Sequence, residues 1–171
     1  MKGHKHESKS AANPTHWVLV ANASRAQLFE CDATLESLTA IDALTHPESR
    51  LPTSELVSGD RGATREAAGG AHSSFERHSD PHQATVDVFA RELAAVLNAG
   101  RIAHRYQHLV TVAPPELLGA LRSHLDVDAA RLVVGSIAHD WTAVPSRELA
   151  TRVRDGMPAA ADVNPTGSGA A

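Results

Sequence analysis

A long polar stretch, residues 46–83, divides this sequence of 171 residues into two halves whose apolar patterns differ. The half before it is patterned as short strands, and the half after it alternates between helix and strand patterns. Connections of this length within a compact domain are uncommon, and they are generally functional or disordered. We therefore expect an α/β domain in which residues 46–83 form a loop that touches whatever the protein binds.

Three strands are predicted before the loop, at residues 17–21, 25–31 and 37–43. The first is a continuous apolar run, and the other two alternate between apolar and polar residues. Asn22 to Ser24 tolerate the backbone of a tight turn, which predicts a hairpin between the first two strands. The three strands together predict an antiparallel meander that ends before Pro47.

A helix is predicted directly after the loop. Asp80 is suited to the N-cap and Pro81 to the first helical position. The residues that follow place one apolar stripe at helical spacing, consisting of Val86, Phe89, Ala90, Leu93, Ala94 and Leu97. Gly100 is the predicted end of this helix, since glycine commonly follows the last helical turn.

The remaining sequence alternates between strands and helices. Strands are predicted at 108–113 and 131–137, and helices begin at Pro114-Pro115 and at Pro145. Strands that are joined through helices normally pair in parallel with right-handed crossovers. The order predicts a ribonuclease-H-like α/β fold with a five-stranded mixed sheet, in which a three-strand antiparallel meander is extended by two parallel strands, and with three helices.

Composition limits the class of protein and its partners. The formal net charge of −4 gives no global cationic field, so nucleic-acid contact would need a local basic patch, and no DNA partner is expected. The single cysteine, Cys31, lies in a strand pattern and is predicted to be buried core. One domain is predicted at 16–156, between flexible tails at 1–15 and 157–171. Neither a secretory signal nor a transmembrane run is visible, so a cytoplasmic protein without membrane contact is expected.

A series of short motifs gives the sequence a family resemblance. They are Trp17 to Ala21, Arg25 to Phe29, His46 to Arg50, Glu55 to Ser58, Asp80 to His82, Phe89 to Ala94, Leu109 to Pro115, Leu118-Gly119 and Leu121-Arg122. In this order they resemble the bacterial host attachment protein family. Members of that family resemble bacterial relatives of the central domain of archaeal and eukaryotic release factors.

The resemblance implies a role for the centre of the loop. The release-factor domain carries a Gly-Gly-Gln tip before a long helix, and this chain has Gly69, Gly70 and Ala71 in the corresponding segment. Ala71 has no amide with which to assist peptide release, so that activity is not expected. The two glycines suit either a tight tip that approaches another surface or a merely flexible loop.

The leading hypothesis is a non-catalytic binding module that contacts the ribosome or a tRNA through the loop. Arginines in a loop suit phosphate contact, although acidic residues in the same stretch make a solvated mixed-charge loop the competing interpretation. The candidate contact residues are Arg61, Arg65, Gly69, Gly70, Ala71, His72, Arg77 and His78. Further cations, Arg101, His104 and Arg105, follow the first helix.

Two alternatives remain open. A protein-partner adaptor that affects host-cell attachment or biofilm formation follows from the family resemblance. A metal-dependent nuclease or hydrolase would need several carboxylates at strand ends, but the first strand ends at Asn22 and few other acids, such as Asp140, are placed to join it.

The histidines of the loop do not form a recognisable metal signature. His72, His78 and His82 are metal-ligating residue types, yet their spacing matches no strong motif, and Asp80 between them has a structural task as N-cap. No metal, no cofactor and no catalytic residue is therefore predicted, and an enzyme is the less favoured interpretation.

Overall fold

The structure is a computed structural model that describes residues 14–47 and 80–157. Within these ranges the elements follow in the order β1 (His16–Ala21), β2 (Arg25–Cys31), β3 (Thr39–Thr45), α1 (Pro81–Ile102), β4 (His108–Val112), α2 (Pro115–His124), α3 (Val127–Arg131), β5 (Val133–Ile137) and α4 (Ser146–Gly156). The predicted tails lie mostly outside the described residues, as do residues 48–79 of the predicted loop.

The five strands form one mixed sheet in the order β3-β2-β1-β4-β5. β1 pairs with β2 and β2 with β3 in antiparallel fashion, whereas β1 pairs with β4 and β4 with β5 in parallel. This confirms the predicted meander extended by two parallel strands, while the ribonuclease-H-like assignment stays a prediction. Because β1, β3, β4 and β5 run in the same direction, their carboxyl ends meet at one edge of the sheet, which we call the carboxyl edge.

The core has two layers, one on each face of the sheet. Alternate residues of β1 divide between them: Trp17 and Leu19 face α1 and α2, whereas Val18 and Val20 face α4. All six residues of the predicted apolar stripe of α1 are buried in the first layer. Cys31 belongs to the second layer, as predicted, and burial raises the pKa of its thiol to about 11.

Two boundaries differ from the prediction for local reasons. β3 spans Thr39–Thr45 rather than 37–43. It is an edge strand whose side chains are largely exposed, so its apolar residues do not mark where the strand begins and ends. The one-turn helix α3 was not predicted, because five residues are too few to show helical periodicity. Asp126 caps α3 by accepting a hydrogen bond from the N–H of Ala129 at 2.6 Å, and β5 therefore starts only at Val133.

The predicted end of α1 at Gly100 is wrong. The helix continues to Ile102, and Gly100 is buried in its last turns, where it faces the ring of Trp17. A Cβ atom at this position would overlap with the ring carbons Cζ3 and Cη2 of Trp17. Glycine is therefore needed here for a close approach of helix and sheet, and not to end the helix.

The helix instead ends in a Schellman motif at His104. The residue has a φ of 53°, in the left-handed region. The N–H of His104 donates to the carbonyl of Arg101, and the N–H of Arg105 donates to the carbonyl of Gly100, both at 2.9 Å. These are the two hydrogen bonds that define the motif, with Ala103 as the C-cap.

Replacement of His104 by glycine should stabilise the protein by about 1 kcal/mol, because a side chain in the left-handed region is strained and glycine is not. Urea denaturation should show a higher midpoint with an unchanged slope. The matched control is His104→Ala, which removes the imidazole but keeps the Cβ atom. An equal gain in both variants would contradict backbone strain as the cause.

Candidate binding site at the carboxyl edge

A crevice opens at the carboxyl edge between the ends of β1 and β4. Its volume is about 320 Å³, and it is lined by Asn22, Ala23, Ser24, His82, Val86, Pro114, Glu116, Leu117 and Asp140. The chain leaves β1 toward β2 on one side and leaves β4 toward α2 and β5 on the other, so the sheet connections diverge at this point. Such divergence commonly forms the ligand crevice of open α/β sheets.

Asn22 is the central side chain of the crevice wall. Its Nδ2 donates to Oδ2 of Asp140 at 3.1 Å and to Oγ1 of Thr142 at 2.9 Å. Its Oδ1 accepts from the backbone N–H groups of Ser24 at 3.0 Å and Arg25 at 3.1 Å. The amide thus fixes the β1–β2 turn and ties it to the loop between β5 and α4. An oxygen that already accepts several hydrogen bonds is a poor candidate for a divalent-ion ligand.

Asp140 is held as a carboxylate by its neighbours. Partial burial alone would raise its pKa, but hydrogen bonds from the hydroxyl and N–H of Thr142, the amide of Asn22 and the charge of Arg25 together lower it. The Thr142 bonds measure 2.7 Å from the hydroxyl and 3.0 Å from the backbone N–H. Asp140 is therefore ionised at neutral pH, and its oxygens serve the junction between the two loops.

The structure does not bring the suggested metal ligands together. Asp80 is the N-cap of α1, as predicted, and accepts a hydrogen bond from the N–H of His82 at 3.0 Å. His82 lines the crevice, whereas His72 and His78 lie outside the described residues. Within residues 14–47 and 80–157, no group of three or more His, Cys, Asp or Glu side chains is placed to hold a metal ion.

The 46–83 segment is anchored at the carboxyl edge at both of its ends. At one end His46 is buried, its N–H donates to the carbonyl of Ser24 at 2.8 Å, and its ring stacks on Phe89 at 5.2 Å. At the other end Asp80 caps α1, whose residue His82 lines the same crevice as Ser24. The sequence did not reveal the role of His46, since pairing its ring with Phe89 requires the tertiary fold.

The predicted contact residues of the loop lie outside the described residues. They are Arg61, Arg65, Gly69, Gly70, Ala71, His72, Arg77 and His78.

The cations predicted after the first helix lie at the opposite end of α1 from the crevice. Arg101 bonds Asp126 at 2.9 Å and lies 3.8 Å from Asp128. The guanidinium of Arg105 lies over the ring of Trp17, 5.8 Å from the ring centroid. The structure therefore does not bring them to the carboxyl edge.

The sequence did not predict an aromatic pair that lies beside the crevice. His139 and Trp141 have parallel rings whose planes differ by 3° and whose centroids are 5.9 Å apart. Arg25 reaches the same loop, where its Nη2 donates to Oγ1 of Thr142 at 3.2 Å. The signal that could have been used is the alternation of two aromatic side chains around Asp140, directly after the last strand.

These features define an α/β domain with a mixed five-stranded sheet and a polar crevice at its carboxyl edge. A search of curated protein sequences finds no match. The model of the family described as "Protein required for attachment to host cells" matches residues 17–153, and the chain belongs to that family.

Two solved structures align with this chain at low sequence identity. An archaeal translation termination factor, aRF1, aligns with a TM-score of 0.45 and 8% identity over 82% of this chain and 37% of its own. A second structure, described as an archaeal protein, aligns with a TM-score of 0.43 and 10% identity over 82% of this chain and 36% of its own. The chain spans little more than a third of each of these proteins.

No helix among the described residues is long and apolar enough to cross a membrane.

Proposed function

We propose that the protein is a non-catalytic binding module that contacts RNA, on the ribosome or in a tRNA, through residues 46–83. The observation that carries this proposal is the anchoring of both ends of that segment at the carboxyl edge. His46 is hydrogen-bonded to the crevice residue Ser24, and Asp80 is hydrogen-bonded to the crevice residue His82. A segment whose two ends are fixed to a folded domain is suited to present its residues to a large partner.

The engagement of the polar groups in the crevice supports binding rather than catalysis. Asn22 donates to Asp140 and Thr142 through Nδ2 and accepts from the backbone of the β1–β2 turn through Oδ1. Asp140 accepts from Thr142 as well, so the oxygens of both side chains already stabilise the two loops. Glu116 is the remaining acidic residue of the crevice lining. Two-metal hydrolysis would need several carboxylates grouped around one position.

The arginines of the segment are the feature that supports RNA as the partner, although six acidic residues accompany four arginines there. Arg61, Arg65 and Arg77 supply guanidinium groups for phosphate contact, and His72 and His78 can add positive charge when protonated. The formal net charge of the whole chain is −4, so RNA contact would be confined to such a local group of cations.

Sedimentation of cell lysate on sucrose gradients tests this proposal, with growing and starved cells compared. The tagged full chain should comigrate with ribosomal particles or tRNA complexes in at least one condition. A variant in which Arg61, Arg65 and Arg77 are replaced by alanine should move to the top of the gradient, because several phosphate contacts are lost at once.

The matched control removes three acids from the same segment, by replacing Asp60, Glu66 and Glu76 with alanine. This variant should comigrate as well as the wild type or better, because it keeps the arginines and loses three negative charges that repel phosphate. Comparable loss in both triple variants would show that the charges do not act through phosphate. Absence of the wild-type chain from every RNA-containing fraction would overturn the proposal.

A second candidate function is favoured by the family description, which concerns attachment to host cells. We propose as this alternative that the protein acts as an adaptor that affects attachment or biofilm formation through a protein partner. The two functions differ in their sensitivity to ribonuclease. Treatment of the lysate with ribonuclease should release an RNA-bound module, whereas an adaptor should remain in its protein complex.

A further inference from the structure

We infer that His139 and Trp141 form a stacking platform for an unpaired nucleobase, supplied either by an RNA strand or by a free nucleotide. Where the source is an RNA strand, the inference rests on the proposed function. It deepens that function by placing one nucleotide contact on described residues of the rigid domain, outside the 46–83 segment.

The geometry of the two rings carries the inference. Their planes are parallel within 3°, and their centroids are 5.9 Å apart, which is an offset-stacked arrangement. Trp141 is half-buried and packs against the core layer on the α4 side, whereas His139 is exposed. His139 is therefore the solvent-exposed member of the stacked pair. Unpaired bases bind proteins by stacking on such aromatic side chains.

The platform is rigid because the loop that carries it is fastened at several points. Asp140, which lies between the two aromatic residues in the sequence, accepts hydrogen bonds from Asn22 at 3.1 Å and from Thr142 at 2.7 Å. The N–H of Val144 also donates to the carbonyl of Trp141 at 3.0 Å. A pre-ordered ring pair loses little conformational freedom when a base stacks on it, and this favours binding.

The charges near the platform indicate that the base, more than the phosphate, is recognised. Arg25 supplies one positive charge close to the loop, and Asp140 supplies one negative charge within it. Because these two charges roughly cancel, RNA binding at this subsite should release at most one counterion. The subsite should therefore contribute at most about −0.7 to the slope of log affinity against log salt concentration.

Binding of a fluorescein-labelled single-stranded oligoadenylate to the full chain tests the inference by fluorescence anisotropy. His139→Ala should weaken binding roughly tenfold, because it removes the stacking surface for one base. His139→Phe should bind as well as the wild type, since a phenyl ring also stacks. The control Ile102→Ala removes an exposed side chain at the C-terminal end of α1, the end opposite the crevice, and should leave binding unchanged.

Adenosine monophosphate distinguishes the two sources of the base. Binding of both the oligoadenylate and the free nucleotide, each weakened by His139→Ala, would show that a free nucleotide suffices. Binding of the oligoadenylate alone, with the same loss, would identify a strand. Equal binding by wild type and His139→Ala overturns the platform and leaves the proposed function intact.

Discussion

Gly100→Ala should destabilise the protein by about 2 kcal/mol. Alanine favours a helix over glycine by about 1 kcal/mol, but overpacking in a core costs up to about 3 kcal/mol, and the second effect should prevail. The new Cβ atom would overlap with the ring of Trp17 and lie 3.3 Å from Cε1 of Tyr106. The Trp17 ring has no easy way to yield, because it stacks on Tyr106 at 4.7 Å and its Nε1 donates to Glu30 at 3.4 Å.

Thermal unfolding followed by circular dichroism measures this effect, and the melting temperature should fall by roughly 8 °C. The control is Gly119→Ala in α2, where a Cβ atom would meet nothing within 4 Å. That substitution should stabilise the protein by about 0.5–1 kcal/mol through helix propensity alone. A stabilised Gly100→Ala variant would mean that helix and sheet do not approach as closely as the structure shows.

Asn22→Asp should also destabilise the protein by about 2 kcal/mol at neutral pH. The substitution replaces the Nδ2 donor, 3.1 Å from Asp140, with a second carboxylate. A hydrogen bond to a charged group is lost, and two like charges come into contact. The side chain would also lose its 2.9 Å bond to Thr142, which links the same two loops.

The effect of Asn22→Asp should depend on pH in a defined direction. In the wild type the pKa of Asp140 is lowered, so its contribution to the free energy of unfolding is present above the unfolded pKa of about 3.9 and is lost as the pH falls through the folded pKa. In the variant, repulsion raises the pKa of the carboxylate pair. Protonation of one partner then relieves the repulsion, and the difference from wild type should shrink as the pH falls from about 7 to about 4.

Urea denaturation at several pH values measures this dependence. The double variant Asn22→Asp/Asp140→Asn is the control, since it restores one amide and one carboxylate. It should recover a large part of the lost stability and should show little of the pH dependence of the single variant. A single-variant deficit that stays constant with pH would contradict the repulsion between residues 22 and 140.

The elements that could be predicted from the sequence are those with many residues in a regular apolar pattern. The stripe of α1 from Val86 to Leu97 is buried residue by residue as predicted, because one face of a long helix has a single partner. The strand β1 was also placed correctly, because both of its faces are buried and its sequence is therefore a continuous apolar run. The edge strand β3, which has little burial to fix it, was misplaced by two residues.

The candidate site was harder to predict, since its contacts join distant parts of the chain. Asn22 bonds Asp140, which lies 118 positions away, and no local pattern contains that pairing. Gly100 was assigned to the end of a helix because the same residue type serves both helix ends and close packing. The stacked rings of His139 and Trp141 could be recognised as a pair only after the loop between them had been placed.

The anchoring of His46 and Asp80 also has a consequence for how this domain tolerates change. The sheet and α1 fix both points independently of residues 48–79. The entropic cost of joining two fixed points rises only slowly with chain length, by about 0.6 kcal/mol for each doubling. Insertions, deletions or an exchanged sequence between the two points should therefore leave the scaffold folded, so a grafted peptide could be displayed there.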